Sequence, residues 1–167
     1  TGLWWDRKSP EKGEKAAYGG FYSQDEIKDL IKYAGERFVN ILPEIEAPGH
    51  SMAAIASYPH LSSTGLKYTV NPGSKFYTIE DNSLCAGKES TYEYMDIVFT
   101  EVAEMFPFEY IHIGGDECYK GFWKKCPDCR KRMKDNCLKD ENELQSYFVK
   151  RLEKILEAKG RKLIGWD

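Results

Sequence analysis

Three times along this chain, apolar residues recurring every third or fourth position run into a short apolar block, and each block ends in glycine, proline or carboxylate residues. The first pattern has the helical period and the second suits a strand buried on both faces, so the alternation predicts an α/β architecture with parallel strands. The first helix opens at Ser23, where Glu26 completes a capping box, and carries Ile27, Leu30, Ile31 and Ala34 at helical spacing. A strand follows from Val39 to Glu46, with Val39, Ile41, Leu42 and Ile45 apolar. The second helix sets Ser90 and Glu93 in the same capping relation and turns Ile97, Val98, Val102 and Met105 to one side; Pro107 stops it, and Tyr110 to Ile113 is its strand. The third runs from about Glu143 to Lys159, with Leu144, Phe148, Leu152, Ile155 and Leu156 inward and Gly160 just past its end. Its strand, Lys162 to Gly165, leads into Trp166-Asp167.

Parallel strands joined by helices form either a doubly wound sheet or a (β/α)8 barrel. The first option lacks its nucleotide-binding turn, since neither G-x-G-x-x-G nor a phosphate-binding G-x-x-x-x-G-K occurs in the chain. What the strand ends share is acid and aromatic groups: Glu44 and Glu46, then Asp116 and Glu117, then Trp166 and Asp167. A barrel gathers its active site at the C-terminal ends of its strands. The expectation is therefore a fragment of a (β/α)8 TIM barrel. A whole barrel takes about 250 residues, so three β/α units are less than half of one. Thr1 to Tyr22 and His60 to Gly87 read as long loops on the active-site face.

With 167 residues, 41% of them apolar and 31% charged, the chain has the balance of one ordinary globular domain. A net charge of −3 without basic runs argues against nucleic acid as a partner. Nothing approaches the roughly 18 consecutive apolar residues of a membrane span, and Thr1 to Pro10 does not read as a signal peptide. The chain starts without Met and stops directly after a strand, so residues 1–167 are expected to be one partial domain, cut at both ends. The 14% aromatic content suits sugar surfaces, although most such rings belong in a core.

The sharpest signal is Tyr110-Ile-His-Ile-Gly-Gly-Asp-Glu117, preceded by Leu42-Pro-Glu-Ile-Glu-Ala-Pro-Gly-His50. Two adjacent carboxylates at a strand end can diverge into a pocket and take different roles, one as proton donor and one as an anion, because two nearby acids do not both ionise cheaply. The competing reading is an N-cap pair opening a helix. Together these motifs resemble glycoside hydrolase family 20, the β-N-acetylhexosaminidases. Ile164-Gly-Trp-Asp167 looks like the next strand of the same barrel, and Tyr18-Gly-Gly-Phe-Tyr-Ser-Gln24 is similar to the family's approach to the first motif.

The resemblance implies a retaining hydrolase of terminal β-linked N-acetylglucosamine or N-acetylgalactosamine. In that family the substrate's own 2-acetamido oxygen attacks the anomeric carbon and forms an oxazolinium ion. Carried over by residue, Glu117 is the general acid and later base, and Asp116 orients the acetamido group. His50 belongs to a hydrogen-bonded chain behind the acid, Trp166 walls the acetamido pocket, and Glu44 and Glu46 support the site from behind. His112 points away from Ile111 and Ile113 and is expected to serve structure more than chemistry, and His60 is a loop residue. The segment corresponds to strands 3 to 5 of the barrel, no cofactor or catalytic metal is expected, and the partner is a carbohydrate. The family's sugar-gripping arginine, its acidic partner of the histidine and its late tyrosine and tryptophans lie outside this chain. Residues 1–167 alone are therefore expected to be nearly inactive, to self-associate through open sheet edges, and to come from a protein acting outside the cytoplasm.

Cys126-Pro-Asp-Cys129 is flanked by Cys118 and Cys137, with seven residues between each outer cysteine and the central pair. Four thiols so close can bind zinc, but the spacing is not that of a usual zinc knuckle, and a reduced or partly disulfide-bonded insertion is the plainer reading. A non-catalytic sugar-binding module and a metal-binding module built on these thiols are the alternatives to an enzyme.

Overall fold

The computed structural model describes residue 13, residues 19–70 and residues 83–166. The expected loop from Thr1 to Tyr22 and the reading of Asp167 lie largely or wholly outside the described residues, as does the middle of the loop from His60 to Gly87. In chain order come α1 (Gln24–Gly35), α2 (Met52–Ser57), a 3-10 turn (Pro59–Leu61), α3 (Glu89–Met105), β1 (Tyr110–His112), α4 (Gly121–Lys125), α5 (Pro127–Asp135), α6 (Glu141–Glu157) and β2 (Lys162–Ile164).

β1 and β2 are parallel, with Ile111 opposite Leu163 and His112 opposite Ile164. On the other side of β1, residues 43–47 run alongside it: the His112 N–H donates to Pro43 O at 2.9 Å, Ile45 N–H to His112 O at 2.8 Å and Ala47 N–H to Ile113 O at 2.8 Å. The three strand segments expected from sequence are thus neighbours in chain order. The first is shorter than Val39 to Glu46, because pairing begins only at Pro43 and Val39 and Leu42 are exposed.

The helices form for local reasons. Ser23 and Glu26 close a reciprocal capping box on α1, with Glu26 N–H donating to Ser23 Oγ at 3.2 Å and Ser23 N–H to Glu26 Oε2 at 2.7 Å. Asp140 caps α6 by accepting from the N–H groups of Asn142 and Glu143. Gly160, at φ 70°, takes the left-handed conformation that closes the end of that helix. α3 departs from expectation. It starts at Glu89 without a side-chain cap, so Ser90 and Glu93 form no box, and its buried stripe is Tyr92, Met95, Phe99 and Val102, while Ile97 is 68% exposed. Two apolar stripes competed on this helix, and the one with the larger rings went inward.

Those residues meet Leu144, Phe148, Leu152 and Leu156 of α6 and Ile111 and Ile113 in one core. Complete burial of each such side chain is worth about 1.5–3 kcal/mol, so this cluster is what fixes the strands against the helices. Around it, Glu89 at the start of α3 binds Arg151 of α6 and Arg132 of α5. The stretch after the second strand is not an irregular insertion: α4 and α5 fill it, with Trp123 fully buried. No described helix is long and apolar enough to cross a membrane.

Candidate active site

Strand alternation puts Ile111 and Ile113 into the helix-facing core and leaves His112 on the opposite face. The chain then leaves the sheet through Gly114 and Gly115, at φ 67° and 96°, and reaches Asp116 and Glu117. A Cβ on Gly114 would overlap the Glu46 carboxylate and move it, and the left-handed backbone favours glycine there; at Gly115 the space is open. The space beside the first of these glycines is thus taken by the protein's own acid. Glu117 sits at φ 49°, the left-handed region that side-chain-bearing residues seldom adopt, and no helix starts there. The reading of Asp116 and Glu117 as an N-cap pair fails, since the following helix begins at Gly121.

The motif at the end of the neighbouring segment brings His50 to the same place. His50 also has a left-handed backbone, at φ 51°. A Cβ on Gly49 would come within 3.1 Å of Asp116 O, so the two turns touch by backbone. His50 Nε2 lies 3.4 Å from Glu117 Oε2, and its Nδ1 lies 3.5 Å from Glu46 Oε2 and 4.0 Å from Asp116 Oδ1. The imidazole thus stands between the outer acid and two inner ones. Burial pushes the Glu46 carboxyl up; His50 opposes this in part, and Asp116 and Glu44 add to it. Asp116 Oδ1 is buried and has no hydrogen-bond partner among the described residues, as is also true of Glu46 Oε2. Glu46, His50 and Asp116 are also close enough together to hold a cation.

A second group lies beside the first. Trp166 Nε1–H donates to Glu44 Oε1 at 3.1 Å, and the Trp166 ring packs on His112 with centroids 4.6 Å apart. His112 Nδ1 accepts the Gly114 N–H at 3.0 Å and also faces Glu44 Oε1 at 3.3 Å. A nitrogen that accepts an amide hydrogen carries no proton of its own, so the Glu44 approach is a contact and the Gly114 bond is the real tie. His112 is 4% exposed while Trp166 is 60% exposed. The histidine supports the turn, and the indole face stands open. Of the residues expected at the site, His50, Glu46, Asp116 and Glu117 form one cluster and Glu44, His112 and Trp166 the adjoining one; His60 is in neither. Gln145, not anticipated, donates from α6 to Gly115 O at 2.7 Å and anchors the Gly114–Gly115 turn from behind; its one sequence signal is a polar residue between the inward Leu144 and Phe148.

The thiols do not group as expected. Cys118 lies by Ser83 and Cys137 is exposed, whereas Cys85, distant in sequence, joins Cys126 and Cys129. The chain has five cysteines, and the fifth, Cys85, was the available sign. Contact with Cys129, then Cys85, holds the Cys126 thiol well below the usual thiol range, while the other two are pushed up.

The chain is 48% identical over 156 residues to a beta-hexosaminidase of Porphyromonas gingivalis, covering 93% of this chain and 20% of that protein. It is 38% identical over 153 residues to a beta-hexosaminidase of Vibrio furnissii, covering 90% and 24%. Among solved structures, the beta-N-acetylhexosaminidase of Bacteroides fragilis superposes with a TM-score of 0.80 at 44% identity, covering 92% of this chain and 29% of that one. The exo beta-N-acetylglucosaminidase of Vibrio harveyi in complex with N-acetylglucosamine gives 0.77 at 38% identity, covering 90% and 23%. The chain therefore spans between a fifth and a third of the length of these relatives. The sequence profile of the glycosyl hydrolase family 20 catalytic domain matches residues 4–167. The chain belongs to glycosyl hydrolase family 20, as part of its catalytic domain.

Proposed function

We propose that this chain is strands 3 to 5 of the barrel of a retaining β-N-acetylhexosaminidase, and that the protein containing it hydrolyses terminal β-linked N-acetylhexosamines by substrate-assisted catalysis. The observation that carries the reading is the convergence of Asp116, Glu117 and His50 at the ends of adjacent parallel strands, where a barrel places its chemistry. Glu117 is the most outward of the acids and has His50 at its back, which suits it to protonate the leaving oxygen and then to deprotonate water. Asp116 Oδ1, buried and unpartnered, suits the acetamido N–H; holding that bond aligns the acetamido oxygen on the anomeric carbon and offsets the positive charge that develops as the glycosidic bond breaks. The exposed Trp166 face, fixed by its bond to Glu44, suits the acetamido methyl and the sugar ring.

The remaining sugar-gripping groups are proposed to come from the rest of the barrel, so residues 1–167 alone should turn over little or nothing, and the whole protein is proposed to act outside the cytoplasm. The test compares release of nitrophenol from the β-N-acetylglucosaminide and from the plain β-glucoside by the full-length protein. Cleavage of the acetamido substrate alone supports the mechanism. Equal cleavage of both requires a protein nucleophile and overturns it, and cleavage of neither favours a sugar-binding module.

A further inference from the structure

Behind the catalytic turn lies a group of side chains that this mechanism does not use. Cys85 precedes α3, Cys126 immediately precedes α5, and Cys129 is in the first turn of α5. Cys85 Sγ lies 3.6 Å from Cys126 Sγ and 3.5 Å from Cys129 Sγ, all three sulfurs are within 4.8 Å of one another, and all three residues are buried. Their meeting is imposed by bonds that do not involve sulfur. Trp123 Nε1–H donates to Leu84 O at 3.1 Å, the Arg132 guanidinium donates to Gly87 O at 3.0 Å, and Thr91 Oγ1 donates to Cys85 O at 2.8 Å. A Cβ on Gly87 would overlap the backbone of Asp128 and Cys129, so glycine alone permits the approach that delivers Cys85 to the other two. The backbone on both sides of the sulfurs is thus positioned independently, which is how a preorganised ligand set differs from thiols filling a hydrophobic gap.

Soft thiolates select zinc and its neighbours over hard cations. A tetrahedral zinc with Zn–S bonds of about 2.3 Å places its sulfurs about 3.8 Å apart, so the distances here need to open by only a few tenths of an ångström. We propose that Cys85, Cys126 and Cys129 bind a structural cation of the zinc class, which fastens the loop before α3 to the α4–α5 segment that follows the catalytic turn. Each sulfur gives a lone pair to the ion and the remaining thiol protons leave to solvent, so no oxidant is required. Among the described residues no fourth His, Cys or carboxylate joins the group, so these three thiolates are the part of the ligand set that the proposal names. The proposal is independent of the hydrolase reading, because it concerns binding and not turnover.

The test uses the full-length protein, purified under reducing conditions with zinc in the medium. Elemental analysis should find about one zinc per chain after dialysis, and X-ray absorption at the zinc edge should show three sulfur neighbours at about 2.3 Å. Cys85→Ser and Cys129→Ser should each lose the metal, while Cys118→Ser and Cys137→Ser keep it. Titration of the wild-type metal-free protein with Cd2+ needs no variant to fold, and its thiolate charge-transfer absorbance should saturate at about one equivalent. Wild-type protein that takes up no stoichiometric zinc or cadmium, a zinc shell without sulfur, or a disulfide among these three residues in the reduced, zinc-grown protein would each overturn it.

Discussion

A single oxygen makes the sharpest chemical statement in this chain. Asp116 Oδ1 is buried, accepts no hydrogen bond from the described residues, and stands 4.0 Å from His50, which already lies near two other acids. Asp116→Asn in the full-length protein should lower kcat on the acetamido substrate by about 10²–10³-fold, because an amide neither balances the developing charge nor orients the acetamido oxygen as well. Glu117→Gln should cost about 10²–10⁴-fold, with most activity returning when the leaving group is a good one that needs no proton. Gly114→Ala tests the turn without replacing any acid. Its Cβ displaces the Glu46 carboxylate, so kcat should fall while KM for the sugar changes little, and steady-state kinetics separates the two. Of these residues, Asp116, Glu117 and His50 were legible in the sequence as adjacent acids and a strand-end histidine. The packing of Glu46 and the bond of His112 at Gly114 were not, because they depend on which side of each strand faces which, and that is settled only by register.

At the scale of elements, the ion pairs of α3 tie three helices at one point. The carboxylate of Glu89 is held down to about 2, chiefly by Arg151 and then by Arg132, against an ordinary value of 4.5. A carboxyl lowered on folding adds stability above its unfolded value and loses it as the pH falls through its folded one. Because Glu89 is about half exposed, the contribution is discounted to about 1 kcal/mol. Glu89→Gln should therefore destabilise by that amount at neutral pH, and urea midpoints should show the gap closing between pH 4.5 and about 2. The Asp140 cap is simpler: Asp140→Ala should cost about 1 kcal/mol in the same assay. The α1 box and the α6 stripe were legible because cap chemistry and spacing are local. The α3 stripe was misjudged because periodicity identifies an amphipathic helix without saying which of two apolar stripes meets the larger cavity. The α4–α5 pair went unseen because its buried residues are one ring, Trp123, and one thiol, Cys129, among many lysines and arginines, with too short a run for a period to show.

For the molecule as a whole, the distribution of exposed rings and aliphatic groups describes a part of something larger. Phe21, Tyr22, Leu30, Tyr33, Phe38, Val39 and Leu42, from α1 and the approach to the first strand segment, all stand exposed, and Phe38 is 99% exposed. Apolar surface of this extent associates in water. Sedimentation of the isolated 167-residue chain should show concentration-dependent oligomers, and the same chain should give no turnover; a monodisperse monomer would contradict the first expectation. The backbone at Glu117 has a different consequence, one of durability. A left-handed glutamate is a conformation that costs on the order of 1 kcal/mol and that glycine or asparagine would adopt more readily. Glu117→Gly should therefore yield a protein that is catalytically dead and yet outlasts the active one on heating, the thermal half-life being the measurement that checks it.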